Sequence, residues 1–382
     1  MKTLPVDPGG IAAMTPKGEF FILKTDPISC PAANILKQQM LSVGGECAVS
    51  REATTCNVDQ APAILSGTKK QFDRLINSLK NQAFGLARLQ VELSDFFKDN
   101  SRQIYNVKIG NSVFDTRKKT YVMGILNMTP DSFSDGGKYS GEDEALKAAM
   151  TMEQEGADII DIGGESTRPG AESVDLRTES DRVIPVIKAI RKHSDIPISV
   201  DTYKSAIAEE ALQNGADIVN DISGLTYDSE MISVIKKYNA TVVIMHIKGT
   251  PRNMQNNPVY TNLIDEIMQY LFLSVQRAID AGISRNQIII DPGFGFGKTF
   301  KDNYTLLRYL AEFQSLGQPI LVGLSRKSFI GKRLDLPVDQ RLEGSLASMS
   351  SAIMNGAGFV RVHDVKESVR AVKVVDSIIG KN

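Results

Sequence analysis

The feature that most constrains this chain is a repeated unit that starts at Tyr121. A short apolar run, a small or polar loop and a segment with 3.6-residue periodicity follow one another through the rest of the sequence. The apolar runs are residues 121–127 (YVMGILN), 157–162 (ADIIDI), 196–201 (IPISVD), 216–221 (ADIVND), 240–246 (ATVVIMH), 287–291 (QIIID), 319–325 (PILVGLS) and 358–363 (GFVRVH). Continuous Val/Ile runs suit parallel strands buried on both faces. Between and after them the periodicity predicts helices over 143–156, 177–193, 203–215, 229–238, 259–282, 303–316, 342–356 and 366–379, several closed by glycines (Gly156, Gly215, Gly282, Gly356) where a left-handed cap is wanted. Eight strand-helix units in about 260 residues match a closed parallel (β/α)8 barrel, with an open doubly wound sheet as the alternative. The strand ends favour the barrel. Asn127, Glu165, Asp201, Asn220 with Asp221, His246, Asp291, Ser325, and Arg361 with His363 all fall there, and a barrel gathers such ends around one mouth.

Residues 1–103 read as a small separate α/β unit: a strand near 19–24, a helix near 33–41, and an amphipathic helix over 68–81 with Phe72, Leu75, Ile76 and Leu79 on one face. Gly44-Gly45 reads as a turn. Residues 104–115 form a predicted hairpin turning at Gly110-Asn111, suited to plugging the N-terminal end of a barrel spanning 104–382. The chain's 44 basic and 45 acidic residues leave no global attraction for nucleic acid or anionic lipid, so any anion must be held locally. No run reaches the roughly 18 apolar residues of a spanning helix, which leads us to expect a cytoplasmic protein. Cys30, Cys47 and Cys56 lack CxxC spacing and are expected to be reduced thiols.

Several loops carry chemistry. The first (127–137, NMTPDSFSDGG) combines Asn127 with Asp131 and Asp135 and suits a lid; the second (163–171, GGESTRPGA) offers Thr167 and Arg168 to a carboxylate or phosphate. Asp201, Asn220 and Asp291 would converge inside a barrel, and buried carboxylates need partners, so a flat heterocycle with a donor-rich edge is the expected ligand. The segment 291–299 (DPGFGFGKT) is no phosphate loop, because Pro292 stands where Walker spacing needs glycine. Its glycines are expected to let a ligand approach the backbone beside Phe294 and Phe296. After the seventh run comes SRKS (Ser325–Ser328). Arg361 and His363, two apart on a strand, are expected to grip one anion together. His246 has no second metal ligand in its loop.

In order and at successive strand ends, NMTPDSFSDGG, GGESTRPGA, VDT, VND, DPGFGFGK, GLSRKS and RVHD resemble the dihydropteroate synthase family over residues 104–382. The resemblance implies a TIM barrel that joins 6-hydroxymethyl-7,8-dihydropterin diphosphate to 4-aminobenzoate, needs magnesium, forms a cytoplasmic homodimer and is blocked by sulfonamides. It implies that Asp201, Asn220, Asp291 and Lys327 hold the pterin, and that Asn127, Arg361 and His363 hold the diphosphate, Asn127 also serving Mg2+. Phe133, Thr167, Arg168, Pro169, Phe296 and Ser325 would shape the aminobenzoate pocket, with Asp135, Arg168 and Lys327 catalytic. Two departures stand out: HIKG (246–249), where the family often has Met and Gln, and the N-terminal hundred residues, which resemble an extension found in only some members. A related pterin-binding methyltransferase and a catalytically inert pterin-binding module are the rival readings; the diphosphate grip argues against the first, and Asn127, Asp135 and Arg168 together against the second.

Overall fold

In the computed structural model, which describes residues 7–100, 106–128, 140–167 and 170–381, the eight apolar runs form eight strands. They are β1 (Tyr121–Asn127), β2 (Ile159–Gly163), β3 (Ile198–Asp201), β4 (Ile218–Asp221), β5 (Thr241–Met245), β6 (Ile288–Asp291), β7 (Ile320–Val322) and β8 (Ala357–Val362). All pairs are parallel, and β8 pairs with β1 (Phe359↔Tyr121 to Val362↔Gly124), closing the barrel. The open-sheet alternative is thereby excluded. Helices follow the strands much as the periodicity predicts, among them Ser140–Gln154, Leu176–Arg191, Leu263–Asp280 and Val365–Ile378. Gly156, Gly215, Gly282 and Gly356 all have positive φ. Two local differences occur. The segment predicted as one helix over 303–316 splits into Phe300–Arg308 and a 3-10 stretch, Leu310–Leu316, and an additional short helix, Ser328–Leu334, follows the SRKS loop.

Strand alternation sorts the side chains. Ile160, Ile162, Val200, Val219, Val242, Ile290, Val322 and Val360 face the surrounding helices. Met123, Ile159, Ile218, Val243, Ile289, Leu321 and Phe359 point inward and pack with Val107, Ile109 and Phe114 of the antiparallel hairpin Asn106–Ile109 and Ser112–Asp115. The hairpin therefore floors the barrel at its N-terminal end, with the Phe114 ring 4.7 Å from that of Tyr121, which stacks on Phe359 at 5.4 Å.

The chain divides into two compact units, Met1–Ser101 and Arg102–Asn382. The first contains an antiparallel sheet in the order Phe20–Lys24, Ala63–Thr68, Glu46–Val49. The helix Cys30–Ser42 and the helix Lys69–Leu79 contribute Leu36, Met40, Phe72, Leu75 and Leu79 to its core, together with Leu65. Thr68 caps the second helix in a reciprocal box with Gln71. The sequence reading missed the central strand, Ala63–Thr68. Gly44, with φ +83°, is in a turn as expected. The cysteines are free thiols. No helix among the described residues is long and apolar enough to cross a membrane.

Candidate active site

Above the apolar floor the barrel interior turns ionic. Asp201 and Asn220 are Cα partners at the ends of β3 and β4, and Asp291 ends β6 beside Met245 of β5. All three are buried, so the structure brings the predicted cradle together. Arg361 reaches across from β8, its Nε donating to Asp161 Oδ2 at 2.6 Å and its NH2 to Asp201 Oδ2 at 2.7 Å. The other oxygen of Asp201, Oδ1, is buried with no hydrogen-bond partner among the described residues. Burial pushes the Asp201 carboxyl up to about 7 against the opposing pull of Arg361. Burial likewise raises Asp291 to about 6, although its Oδ1 accepts the Gly293 N–H at 2.7 Å. An ionised acceptor in such a place is costly until a donor arrives.

Lys327 stands beside this group, with Nζ 4.4 Å from the Phe296 ring centre. Burial and the neighbouring Arg361 charge lower its ammonium to about 8. Phe296, half-buried, packs against Ile222, Met245, Ile247 and Met254, as does Tyr203, an apolar wall built from the end of β5 and the loops after β3 to β6. Asn127, at the end of β1, is half-buried. A Cβ built on Gly163 would lie 3.7 Å from Asn127 Oδ1 and 3.9 Å from Asp201 Oδ2, so both oxygens border the same small space.

Arg361 and His363, expected to grip one anion together, have different partners within the chain. Arg361 donates to two carboxylates, while His363, just past the end of β8, has its Nδ1 3.0 Å from Ser325 Oγ. Burial and the nearby Arg361 charge lower His363 to about 3, so at neutral pH it is an uncharged hydrogen-bonding group. Ser325, expected beside the aminobenzoate, is buried and spends its hydroxyl on His363, whose backbone N–H it also accepts at 3.2 Å. Thr167 is half-buried at the second loop. Phe133, Asp135, Arg168 and Pro169, with Asp131, lie outside the described residues.

Two glycines of DPGFGFGK accommodate the protein's own backbone, while a Cβ added at the third, Gly295 (φ +82°), would lie 3.4 Å from Lys327 Cδ. Gly293, at φ +75°, lies so close to the end of β5 that an added Cβ would sit 1.9 Å from the His246 carbonyl oxygen; at Gly297 it would sit 2.4 Å from that of Lys248. Phe294 is buried in the core. Lys298 turns inward and directs its three donors to His246 Nδ1 (3.0 Å), Gly293 O (2.8 Å) and Phe296 O (3.1 Å). Burial lowers its ammonium to about 7 and lowers His246 to about 2, leaving that ring neutral as an acceptor. This fastening holds Phe296 and the HIKG loop together.

Sequence reasoning missed two groups. One is Asp161, fully buried in the middle of β2. Its signal was a carboxylate inside ADIIDI, a place where an unpaired charge is strongly destabilising. The other is the cluster at the base of the second loop. Lys204 Nζ donates to Glu165 Oε2 (2.7 Å) and Glu179 Oε2 (2.6 Å), and the Tyr203 hydroxyl to Glu165 Oε1 (2.7 Å). Glu165 was visible as a strand-end carboxylate; its partners were not. Asp221, also a strand-end residue, is absorbed locally by the N–H groups of Ser223 and Leu225.

A closed parallel barrel whose mouth concentrates acceptors around an unmet carboxylate oxygen is the architecture of a heterocycle-binding enzyme, and a family model described as "Pterin binding enzyme" matches residues 123–363. The dihydropteroate synthase of Synechocystis sp. is 50% identical over 288 residues, covering 75% of this chain and 98% of that protein. A structure of the Clostridium difficile dihydropteroate synthase, determined in the presence of pteroic acid, is 49% identical with a TM-score of 0.66 and covers 69% of this chain and 98% of that one. This chain belongs to the dihydropteroate synthase family of transferases. The probable bifunctional folylpolyglutamate synthase/dihydropteroate synthase of Halobacterium salinarum is 41% identical over 374 residues, which takes in 97% of this chain but only 44% of that protein. Its match extends into the N-terminal unit.

Proposed function

We propose that this chain condenses 6-hydroxymethyl-7,8-dihydropterin diphosphate with 4-aminobenzoate, giving 7,8-dihydropteroate and pyrophosphate for folate synthesis. The observation that carries the reading is the buried, unpartnered Asp201 Oδ1 beside Asn220 and Asp291. The amino group and ring N–H of an aminopyrimidinone supply the donors that this cradle lacks. Lys327 would lie against the pterin ring, and the guanidinium edge of Arg361 left over from Asp161 and Asp201, neutral His363 and Asn127 would hold the diphosphate.

The donor set accommodates a magnesium ion that comes with its substrate. Among the described residues no group of three or more His, Cys, Asp or Glu forms a metal cage, and Asn127 Oδ1 is one hard oxygen to which diphosphate and water oxygens would add. Bound there, the ion would neutralise charge on the departing pyrophosphate. The chain's own residues do the rest. Asp201, Asn220 and Asp291 orient the ring so that the C–O bond to pyrophosphate breaks with the exocyclic carbon facing the mouth, and the electron-rich pterin delocalises the resulting cation, which Asp135 would stabilise. The arylamine nitrogen then bonds to that carbon and loses its proton to water or to the released pyrophosphate. Phe133, Thr167, Arg168, Pro169, Phe296 and Ser325 form the aminobenzoate pocket in this reading, which sulfonamides would also occupy. Catalysis rests on positioning and electrostatics, with no covalent enzyme intermediate.

The reading includes a cytoplasmic homodimer, checked by light scattering of the purified chain. The deciding experiment is pyrophosphate release with protein, Mg2+, pterin diphosphate and 4-aminobenzoate, each omitted in turn. Release that needs all four components, with dihydropteroate formed, is the expected result. A pterin that binds without turnover would return the methyltransferase and inert-module readings.

A further inference from the structure

Asp161 lies one inward position below the rim of β2, between Ile159 in the floor and Gly163 at the strand end, and is fully buried. Its two oxygens meet two donors. Arg361 Nε takes Oδ2 at 2.6 Å, and Asn220 Nδ2 lies 3.4 Å from both Oδ1 and Oδ2. An ionised carboxylate only accepts, whereas a carboxamide has a donating and an accepting end. The nitrogen of Asn220 must therefore face Asp161, which turns its carbonyl oxygen away from that carboxylate; Asp201, its Cα partner on the neighbouring strand, carries the unpartnered Oδ1.

We infer that Asp161 is a positioning residue that fixes the direction of the Asn220 amide, so that its carbonyl oxygen is the end offered to a ligand and the cradle favours a 2-amino over a 2-oxo pteridine. The inference rests on the pterin reading and adds the group that sets its selectivity. A 2-oxo ring presents an acceptor where the 2-amino ring presents a donor, and two acceptors face to face in a dry site leave both unsatisfied. Asp161→Asn breaks the arrangement without changing shape. The substituted amide keeps one accepting oxygen for two donors, and the close Arg361 contact claims it. The nitrogen of that amide then faces Asn220 and turns the Asn220 side chain around.

The test is calorimetric titration of the full-length protein with 6-hydroxymethylpterin and with its 2-oxo counterpart, alongside a melting curve. Wild type should prefer the pterin. In Asp161→Asn the ratio of the two affinities should fall by about tenfold to a hundredfold, the range of a hydrogen bond to a charged group. A general loosening would weaken both ligands alike and leave the ratio intact, and that outcome overturns the assignment. Wild type that binds neither heterocycle overturns the pterin reading itself, so the two failures are distinguishable. Should the variant not fold, wild type carries the test. The Asn220 side-chain amide protons, assigned by their loss in Asn220→Asp, should be protected from exchange in ligand-free protein; free exchange with solvent would overturn the proposal.

Discussion

The two ends of the barrel solve opposite problems with the same alternating strands. At the floor, inward positions are Met123, Ile159, Ile218, Val243, Ile289, Leu321 and Phe359, and the hairpin residues Val107, Ile109 and Phe114 fill the space between them. Higher up, inward positions on β2, β3, β4, β6 and β8 are Asp161, Asp201, Asn220, Asp291 and Arg361. The floor gains from burial outright. The mouth holds buried charges that are tolerated only through one another, and it leaves Asp201 Oδ1 without a partner among the described residues. The barrel thus separates the part that stabilises from the part that reacts.

Arg361→Ala should break the mouth most severely. It strands Asp161 and Asp201 as buried carboxylates, and removing one partner of such a group costs about 3–5 kcal/mol. Pyrophosphate release should fall to near background and the melting temperature should drop together with it; a stable, active variant would contradict the division. Phe114→Ala tests the floor. Losing a buried ring there should cost about 3 kcal/mol, yet kcat and KM per folded molecule, assayed well below the melting temperature, should stay within about twofold of wild type. A selective rise in the KM for the pterin would mean that the two ends are not separate.

The smallest effect is that of pH, and it sharpens the contrast because the floor cluster holds no group that titrates near neutrality. Asp201 and Asp291 are raised by burial to about 7 and about 6, and each accepts a ligand donor fully only when ionised. Pterin affinity should therefore weaken several-fold as pH falls from 8 through 7 to 6, followed by calorimetry. Stability runs the other way for these two carboxyls, since a raised folded value favours the fold below the unfolded value and withdraws that support as pH rises. His246 and His363, lowered by burial to about 2 and about 3, oppose this. Their contribution is present above the ordinary histidine value near 6.5 and is lost on acidification.

The barrel was legible in the sequence because strands buried on both faces must be continuously apolar, and eight such runs with helical spacers admit few arrangements. Asp201, Asn220 and Asp291 were legible because they end those runs. Asp161 was in view, yet strand-end reasoning passed over it: how deep a residue lies in a barrel depends on strand tilt and register, which a single run does not encode. Alternation placed Arg361 and His363 on one side of a run, but their partners come from β2, β3 and the loop after β7, which that run does not encode. The close approaches at Gly293 and Gly297 were illegible for the same reason, since the backbone they accommodate belongs to the loop after β5. In the N-terminal unit, Ala63–Thr68 reads poorly as a strand and is held by pairing on both edges, with Phe20–Lys24 and Glu46–Val49.

The hairpin at the floor also governs traffic. A tube open at both ends can be filled from either side, whereas one with a plugged base is a well, and whatever goes to the bottom must go in first. Asp161 lies in the middle of β2 and Phe296 in the loop after β6, so in the reaction proposed here the heterocycle occupies the deeper place and the arylamine the one nearer the entrance. The joined product must back out through the entrance that both substrates used.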